Sequence, residues 1–228
     1  MPDKLTDHIV QAYNADIGRL DSLIGEMGGH CESQLAEAIQ ALQQRNSAQA
    51  SEIAARDIVI DALEREIDAL ILRMLALRQP VAIDLRHTLA ALKIASALER
   101  VGDYAKNIAK RAGQLAELPP MPMTAGAVEL GQRVQVLLHE CLDAIANRDM
   151  VQAAEVWQKD QEIDMLHSGV LRDIIIGMAE NPDRIEAGSH LQFIVKNLER
   201  IGDQATNMAE MVQFDVTGRR IEEERPKG

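Results

Sequence analysis

One phrase occurs twice in this chain, and it dictates the architecture. Leu98-Glu99-Arg100-Val101-Gly102-Asp103 returns as Leu198-Glu199-Arg200-Ile201-Gly202-Asp203, and each copy runs on to an asparagine and an alanine, Asn107 and Ala109 in one, Asn207 and Ala209 in the other. The repetition reaches upstream. Ala50-Ser51-Glu52-Ile53 with Arg56-Asp57 and Ile60-Asp61 parallels Ala153-Ala154-Glu155-Val156 with Lys159-Asp160 and Ile163-Asp164. A chain made of two such copies is expected to fold as two homologous units. Within each, apolar residues recur every three or four positions, the period of a helix that buries one face. The expectation is an all-α protein of two tandem, pseudo-symmetric, antiparallel three-helix bundles.

The first pattern, from Tyr13 and Ile17 through Ile24, Cys31 and Leu35 to Leu42, predicts a helix from Leu5 to about Asn46, with a candidate kink at Gly28-Gly29. A second, with Ser47 as its cap, runs through Ile53, Ile60, Ile67 and Met74 and stops at Arg78-Gln79-Pro80; a third spans Ala82 to Ala116. Pro119, Pro120 and Pro122 then remove backbone donors and clash with the preceding turn, so residues 118–124 read as a linker. Helices follow from Ala125 to Asn147, from Asp149 to Glu180 and, after a break at Asn181-Pro182-Asp183, from Arg184 to Val216. This places the first bundle at 1–117, the second at 125–216 and a charged, flexible tail at 217–228.

Composition agrees with helices. Apolar residues make up 46% of the chain but aromatics only 2%, so the core must be built from Ala, Leu, Ile, Val and Met, which pack well between helices. A net charge of -12 with no long Lys/Arg cluster argues against nucleic-acid binding. Cys31 and Cys141 lie far apart, outside any CxxC spacing, and read as small buried hydrophobes. The start of the chain lacks a basic segment followed by an apolar one, and no uncharged run approaches the roughly 20 residues needed to span a bilayer. A soluble, cytosolic protein is expected.

Chemistry concentrates on the repeated acids. On a helix Glu99, Asp103 and Asn107 fall one turn apart on one face, as do Glu199, Asp203 and Asn207; Asp57 and Asp61, and Asp160 and Asp164, form similar pairs on the preceding helix. Like charges four residues apart cost a helix about 0.2–0.5 kcal/mol and a mid-helix glycine about 1 kcal/mol. Two carboxylates at 4 Å repel by about 4 kcal/mol near a surface, which argues for a bound cation, a raised pKa or an interposed arginine. Oxygen ligands suit Mg, Ca, Mn or iron; in the plainer alternative, Arg100 and Arg200 merely pair with the acids. Gly102 and Gly202 are expected to admit a neighbouring helix. Pro80 and Asp84 suit the start of a helix, which leaves Arg78 and Arg86 as a docking point for an acidic partner.

Catalytic signals are weak. The Glu-x-x-His pattern of di-metal bundles has only Asp84-Leu85-Arg86-His87 and Asp164-Met165-Leu166-His167 as near matches, at unrelated places in the repeat, and these read as coincidence. His8, His30, His139 and His190 show no ligand spacing, and no phosphate loop, nucleophile elbow or HExxH is present. No catalytic residue is assigned.

Taken together, the doubled ERxGD phrase, the RQPxAxDLR stretch from Arg78 to Arg86, the paired aspartates and the two-unit layout resemble the PhoU family of accessory regulators of bacterial phosphate-specific transport, over about Leu5 to Val216. The resemblance implies a non-enzymatic, often dimeric cytoplasmic protein beside the phosphate ABC transporter. It would restrain uptake through the transporter's ATPase subunit and hold the phosphate-responsive sensor histidine kinase off, touching the membrane only through those partners. It also implies divalent or trivalent metal ions, such as iron, manganese, zinc or magnesium clusters, at Glu99, Asp103, Glu199 and Asp203, with Asp57, Asp61, Asp160 and Asp164 as companions and Asn107 and Asn207 beside them. A carboxylate-bridged metal enzyme, oxidase or phosphohydrolase, and a purely structural helical dimer are the alternatives. Asn181-Pro182-Asp183-Arg184 replaces the RQPxAxDLR stretch in the second half, so contacts through that turn are expected to be one-sided.

Overall fold

The computed structural model describes residues 3–78 and 80–219, with side chains from residue 13 onward except that of Arg78. Among the described residues the chain is helical and holds no strand: α1 (Asp3–Gln44), α2 (Ser47–Ala55), α3 (Ile58–Arg78), α4 (Ile83–Glu117), α5 (Thr124–Asn147), α6 (Met150–Glu180) and α7 (Ile185–Thr217), the last entered through a 3-10 turn at Pro182–Arg184. The expected tail falls, from residue 220 on, outside the described residues.

Three local readings are corrected. The helix expected from Ser47 to Leu77 is two helices, since Arg56 N–H bonds to Ile53 O at 3.1 Å and the chain restarts at Asp57, whose carbonyl accepts from Ile60 and Asp61. Asn46 rather than Ser47 caps α2, its side chain accepting from Gln49 N at 3.1 Å. Helix α1 runs unbroken through Gly28-Gly29. A β-carbon at Gly28 would lie 2.6 Å from Leu142 Cδ2, so this glycine admits an α5 side chain instead of bending its own helix.

Helices α4 and α7, which carry the two ERxGD copies, pack antiparallel at the centre. Arg200 lies over the Tyr104 ring and Arg111 over that of Phe193, and His87 near the start of α4 meets Asp215 near the end of α7. Helix α1 packs on α4 and on α5, and α5 and α6 pack on α7. One apolar core therefore runs through both repeats, including Leu20, Met27, Leu35, Ile60, Ile67, Leu98, Leu130 and Leu198. Each fully buried Leu or Ile contributes about 1.5–3 kcal/mol relative to exposure. The repeat extends to surface ion pairs: Arg56 with Glu37 in one half, and Lys159 with Glu140 at 2.7 Å in the other.

The proline-rich segment is packed rather than loose. Met121 is buried, and the space a β-carbon at Gly177 would need is taken by the end of Met123. A polar junction closes the opposite end of α7. Both ring nitrogens of His87 face carboxylates, Nδ1 at 2.9 Å from Asp215 Oδ2 and Nε2 at 2.9 Å from Asp21 Oδ1. Ionised carboxylates only accept, so both ring N–H groups donate and the imidazole is charged. Burial opposes that charge, but the Asp21 and Asp215 hydrogen bonds outweigh it and hold the His87 pKa up at about 9. Arg148, the left-handed C-cap of α5, lies 3.6 and 3.8 Å from the same two carboxylates and 3.3 Å from Nε2.

Candidate functional site

In the first repeat the break between α2 and α3 decides the site. It turns the Asp57 carboxylate inward, where only 5% of the residue remains exposed. Its Oδ2 accepts from Lys106 Nζ at 2.5 Å, and the Gln34 amide stands 3.5 Å from Oδ1. Lys106, one turn beyond Asp103 on α4, also pairs with Asp103. Burial disfavours the ammonium, but Asp103 and Asp57 more than compensate and raise its pKa above the usual lysine value. Glu99, half-buried one turn earlier, has its carboxyl pushed up by burial and then by Asp103, Glu64, Asp61 and Asp57. Glu64 is pushed up likewise by burial and by Asp68, Asp61 and Asp103. These couplings gather Glu99, Asp103, Asp57 and Asp61 around one face, as their spacing suggested, and add Glu64.

The second repeat builds a related face with different chemistry. Asp160 is 3% exposed and seats directly over Gly202, where a β-carbon would lie 2.9 Å from its Oδ1. At Gly102 the same space is filled by Ile60 Cδ1 at 2.8 Å, with Asp57 Oδ1 at 3.4 Å. The repeated glycines thus admit side chains of the preceding helix, including the buried aspartate, so the conserved spacing of the two phrases within the chain has a packing origin. The position of Lys106 is taken by Thr206, whose hydroxyl donates to the Gly202 and Asp203 carbonyls of its own helix. Lys196 bonds Glu199 Oε1 at 2.7 Å, and the equally close Oε2 receives its charge but no directed hydrogen bond.

His167, which the sequence presents as a chance match, belongs to this second face. Burial lowers its pKa, against the pull of Glu199, with Lys196, Asp164 and Asp203 also acting on it. Its Nε2 is buried with no hydrogen-bond partner among the described residues. Glu64 and His167 hold equivalent positions in the two repeats, an oxygen donor in one and a nitrogen donor in the other. Helical spacing contained the signal for both, three residues beyond Asp61 and Asp164, but only the cross-helix packing shows that these side chains turn toward the ERxGD acids.

Other expected residues are placed elsewhere. Asn107 is exposed, and Asn207 lines a groove between α4 and α7 beside Arg100. Arg100 therefore does not neutralise the acids, and Arg200 stacks over Tyr104. The Arg86 guanidinium packs on Gly218, the left-handed C-cap of α7, within 2.8 Å of where a β-carbon would stand. A cation at a helix C-terminus is favoured by the helix dipole. The Arg78 side chain lies outside the described residues.

Both cysteines are buried, their thiols donating to the carbonyls of Leu98 and Ala205 at 3.2 Å. Burial pushes the Cys141 thiol up to about 12 and Cys31 higher still, so neither is a thiolate nucleophile near neutral pH. Cation binding is chemically suited to the second face, where carboxylates meet an orphaned imidazole nitrogen. In the first face an ammonium already bridges two of the acids. Among the described residues no group of three His, Cys, Asp or Glu side chains closes into a ready-made cage.

Comparison with known proteins places this arrangement. The family profile for the PhoU domain matches residues 24–112 and 127–212, once in each repeat. A relative from Caulobacter vibrioides (strain NA1000 / CB15N), named phosphate-specific transport system accessory protein PhoU homolog, is 43% identical over 224 residues, covering 98% of this chain and 97% of its own. A homolog of the same name from Zymomonas mobilis is 43% identical over 216 residues, covering 95% of this chain and 91% of its own. The crystal structure of PhoU from Pseudomonas aeruginosa superposes with a TM-score of 0.87 at 36% identity, covering 91% of this chain and 100% of that one. The PhoU from Streptococcus pneumoniae, a phosphate transport system regulatory protein, gives 0.85 at 26% identity, covering 92% and 100%. With two matched domains, near-complete coverage and the same fold, the chain belongs to the PhoU family.

Proposed function

We propose that this protein is a cytoplasmic accessory regulator of phosphate-specific transport, without catalytic activity of its own. It restrains uptake by contact with the ATPase subunit of the phosphate ABC transporter and holds the phosphate-responsive sensor kinase off when phosphate is plentiful. The observation that carries the reading is family membership over nearly the whole chain together with a doubled acidic surface on rigid central helices. The thiols are buried and unreactive, and the histidine of the second face is depressed by burial rather than paired as a base. No helix among the described residues is long and apolar enough to cross a membrane.

An adaptor of this kind changes its partner's output only by preferring one conformer, and a preference of about 1.4 kcal/mol is a tenfold shift in population. Two copies acting as a homodimer would present the acidic faces in duplicate. Glu199, Asp203 and Asp164 with His167 would hold a metal cation on the second face, Asp160 supporting them from beneath; Glu99, Asp103, Asp61, Glu64 and Asp57 offer oxygens on the first. A cation there supplies positive charge that offsets carboxylate repulsion between α6 and α7.

Deletion of the gene in its native host tests the regulatory role: phosphate-starvation genes should become active in rich phosphate, and their continued silence would overturn it. Elemental analysis of protein purified without chelator, with thermal unfolding in EDTA, tests the cation separately. Stoichiometric metal and a lowered Tm in EDTA are expected, both lost in a His167→Ala/Glu199→Gln variant.

A further inference from the structure

Between α4 and α7 runs a groove of about 320 Å³ lined by Lys93, Ser96 and Arg100 from one helix and Gln204, Asn207 and Glu210 from the other. Among the described residues neither cation makes an ion pair or a side-chain hydrogen bond, and Glu210 is equally uncommitted. Lys93 and Arg100 stand two turns apart on α4, about 10.5 Å along its axis, so long flexible cations flank the groove at both ends. In a chain of charge -12, two unspent cations facing one cavity are an exception.

Gln204 is an independent sign. It is only 8% exposed, its side chain makes no hydrogen bond among the described residues, and it borders the groove. Its amide atoms are not sealed from solvent, so they are open to a hydrogen-bonding ligand in the groove. The other repeat serves as an internal control. Counted from the ERxGD phrases, Lys93, Arg100 and Gln204 correspond to Phe193, Arg200 and Tyr104. There Arg200 lies 5.8 Å from the Tyr104 ring centre and Arg111 lies 4.5 Å from that of Phe193, so aromatic rings occupy the equivalent groove and engage its cations.

We propose that the Lys93–Arg100–Gln204 groove binds a phosphate-type oxyanion. Lys93 and Arg100 supply the charge, and Ser96, Gln204 and Asn207 supply neutral donors. Glu210 sets the specificity. A carboxylate repels a fully deprotonated anion but accepts a hydrogen bond from one that carries a proton, so hydrogen phosphate is favoured over sulfate. The site is separate from the acidic faces and does not depend on a cation bound there.

Isothermal titration of the full chain in EDTA, with inorganic phosphate, sulfate and ADP as titrants and circular dichroism to verify folding, tests this. Expected are saturable phosphate binding, sulfate weaker by about tenfold or more, and a Lys93→Ala/Arg100→Ala variant weakened by about tenfold or more, while Arg200→Ala is unchanged. In Glu210→Gln, sulfate should come within about threefold of phosphate. Tighter binding of ADP than of inorganic phosphate would identify a nucleotide as the source of the phosphate group, and the reverse would identify the free ion; either supports the site. Absence of saturable phosphate binding, equal affinity in the folded double variant, or wild-type protein that binds sulfate as well as phosphate would overturn it.

Discussion

Asp160 can be almost wholly enclosed because the residue beneath it has no side chain. Alanine at Gly202 would place a methyl group 2.9 Å from the Asp160 carboxylate oxygen, whereas alanine at Gly102 meets chiefly the flexible end of Ile60 at 2.8 Å. Replacing a helical glycine gains about 1 kcal/mol of propensity. Gly102→Ala should therefore be near neutral, while Gly202→Ala should destabilise by about 1–3 kcal/mol; urea unfolding of the two variants would show the asymmetry. Lys106 poses the complementary case. Lys106→Met leaves Asp57 buried without its cation and should cost about 3 kcal/mol, while manganese titration of the same variant should reveal tighter binding at the first face than in wild type. The acids themselves were visible as on-helix neighbours one turn apart. Lys106, Glu64 and His167 share that spacing with Asp103, Asp61 and Asp164, but helical periodicity says nothing about which side chains turn to meet the next helix, so their part in the two faces was not legible.

The helices were largely legible, and the breaks between them were not. Apolar spacing stays in phase across Arg56-Asp57, so α2 and α3 read as one helix; what divides them is the inward turn of Asp57 toward Lys106, a tertiary preference. The same limit hid the His87 junction, which joins α1, α4, the C-cap of α5 and α7 through residues far apart in sequence. Its titration has a definite sign. The folded pKa of about 9 lies above the ordinary 6.5, so the junction stabilises the fold fully below pH 6.5 and loses that contribution as pH rises through about 9. Asp21, Asp215 and Arg148 are the charged groups facing the ring. Equilibrium unfolding followed from pH 6.5 to 9.5 should show wild-type stability falling, and His87→Gln should flatten the profile.

Antiparallel packing of α4 on α7, and of α1 on α5, means that the two repeats share one core instead of each enclosing its own. Unfolding of the full chain by urea should accordingly proceed in one cooperative transition. A fragment of residues 118–219 exposes the α4-facing side of α7, including Gln204 and Met211, and should lack a cooperative transition and show poorly dispersed NMR spectra. A well-folded fragment would mean that the interface between the repeats adds little to stability. Membership of the PhoU family also belongs to this scale, since the domain profile matches in both repeats and the related chains cover nearly the whole length.

By itself, the amino-acid sequence specified an all-helical chain in two related units and an acidic face on each. Both follow from local rules, the 3.6-residue period and the recurrence of a phrase. Packing determined how the two faces differ: Lys106 bridges one, an orphaned imidazole nitrogen enters the other, and Asn207 turns into the α4–α7 groove. Those outcomes depend on which side chains meet across helices, and contact between distant segments is set by the shape and charge of the whole core, which no local pattern encodes.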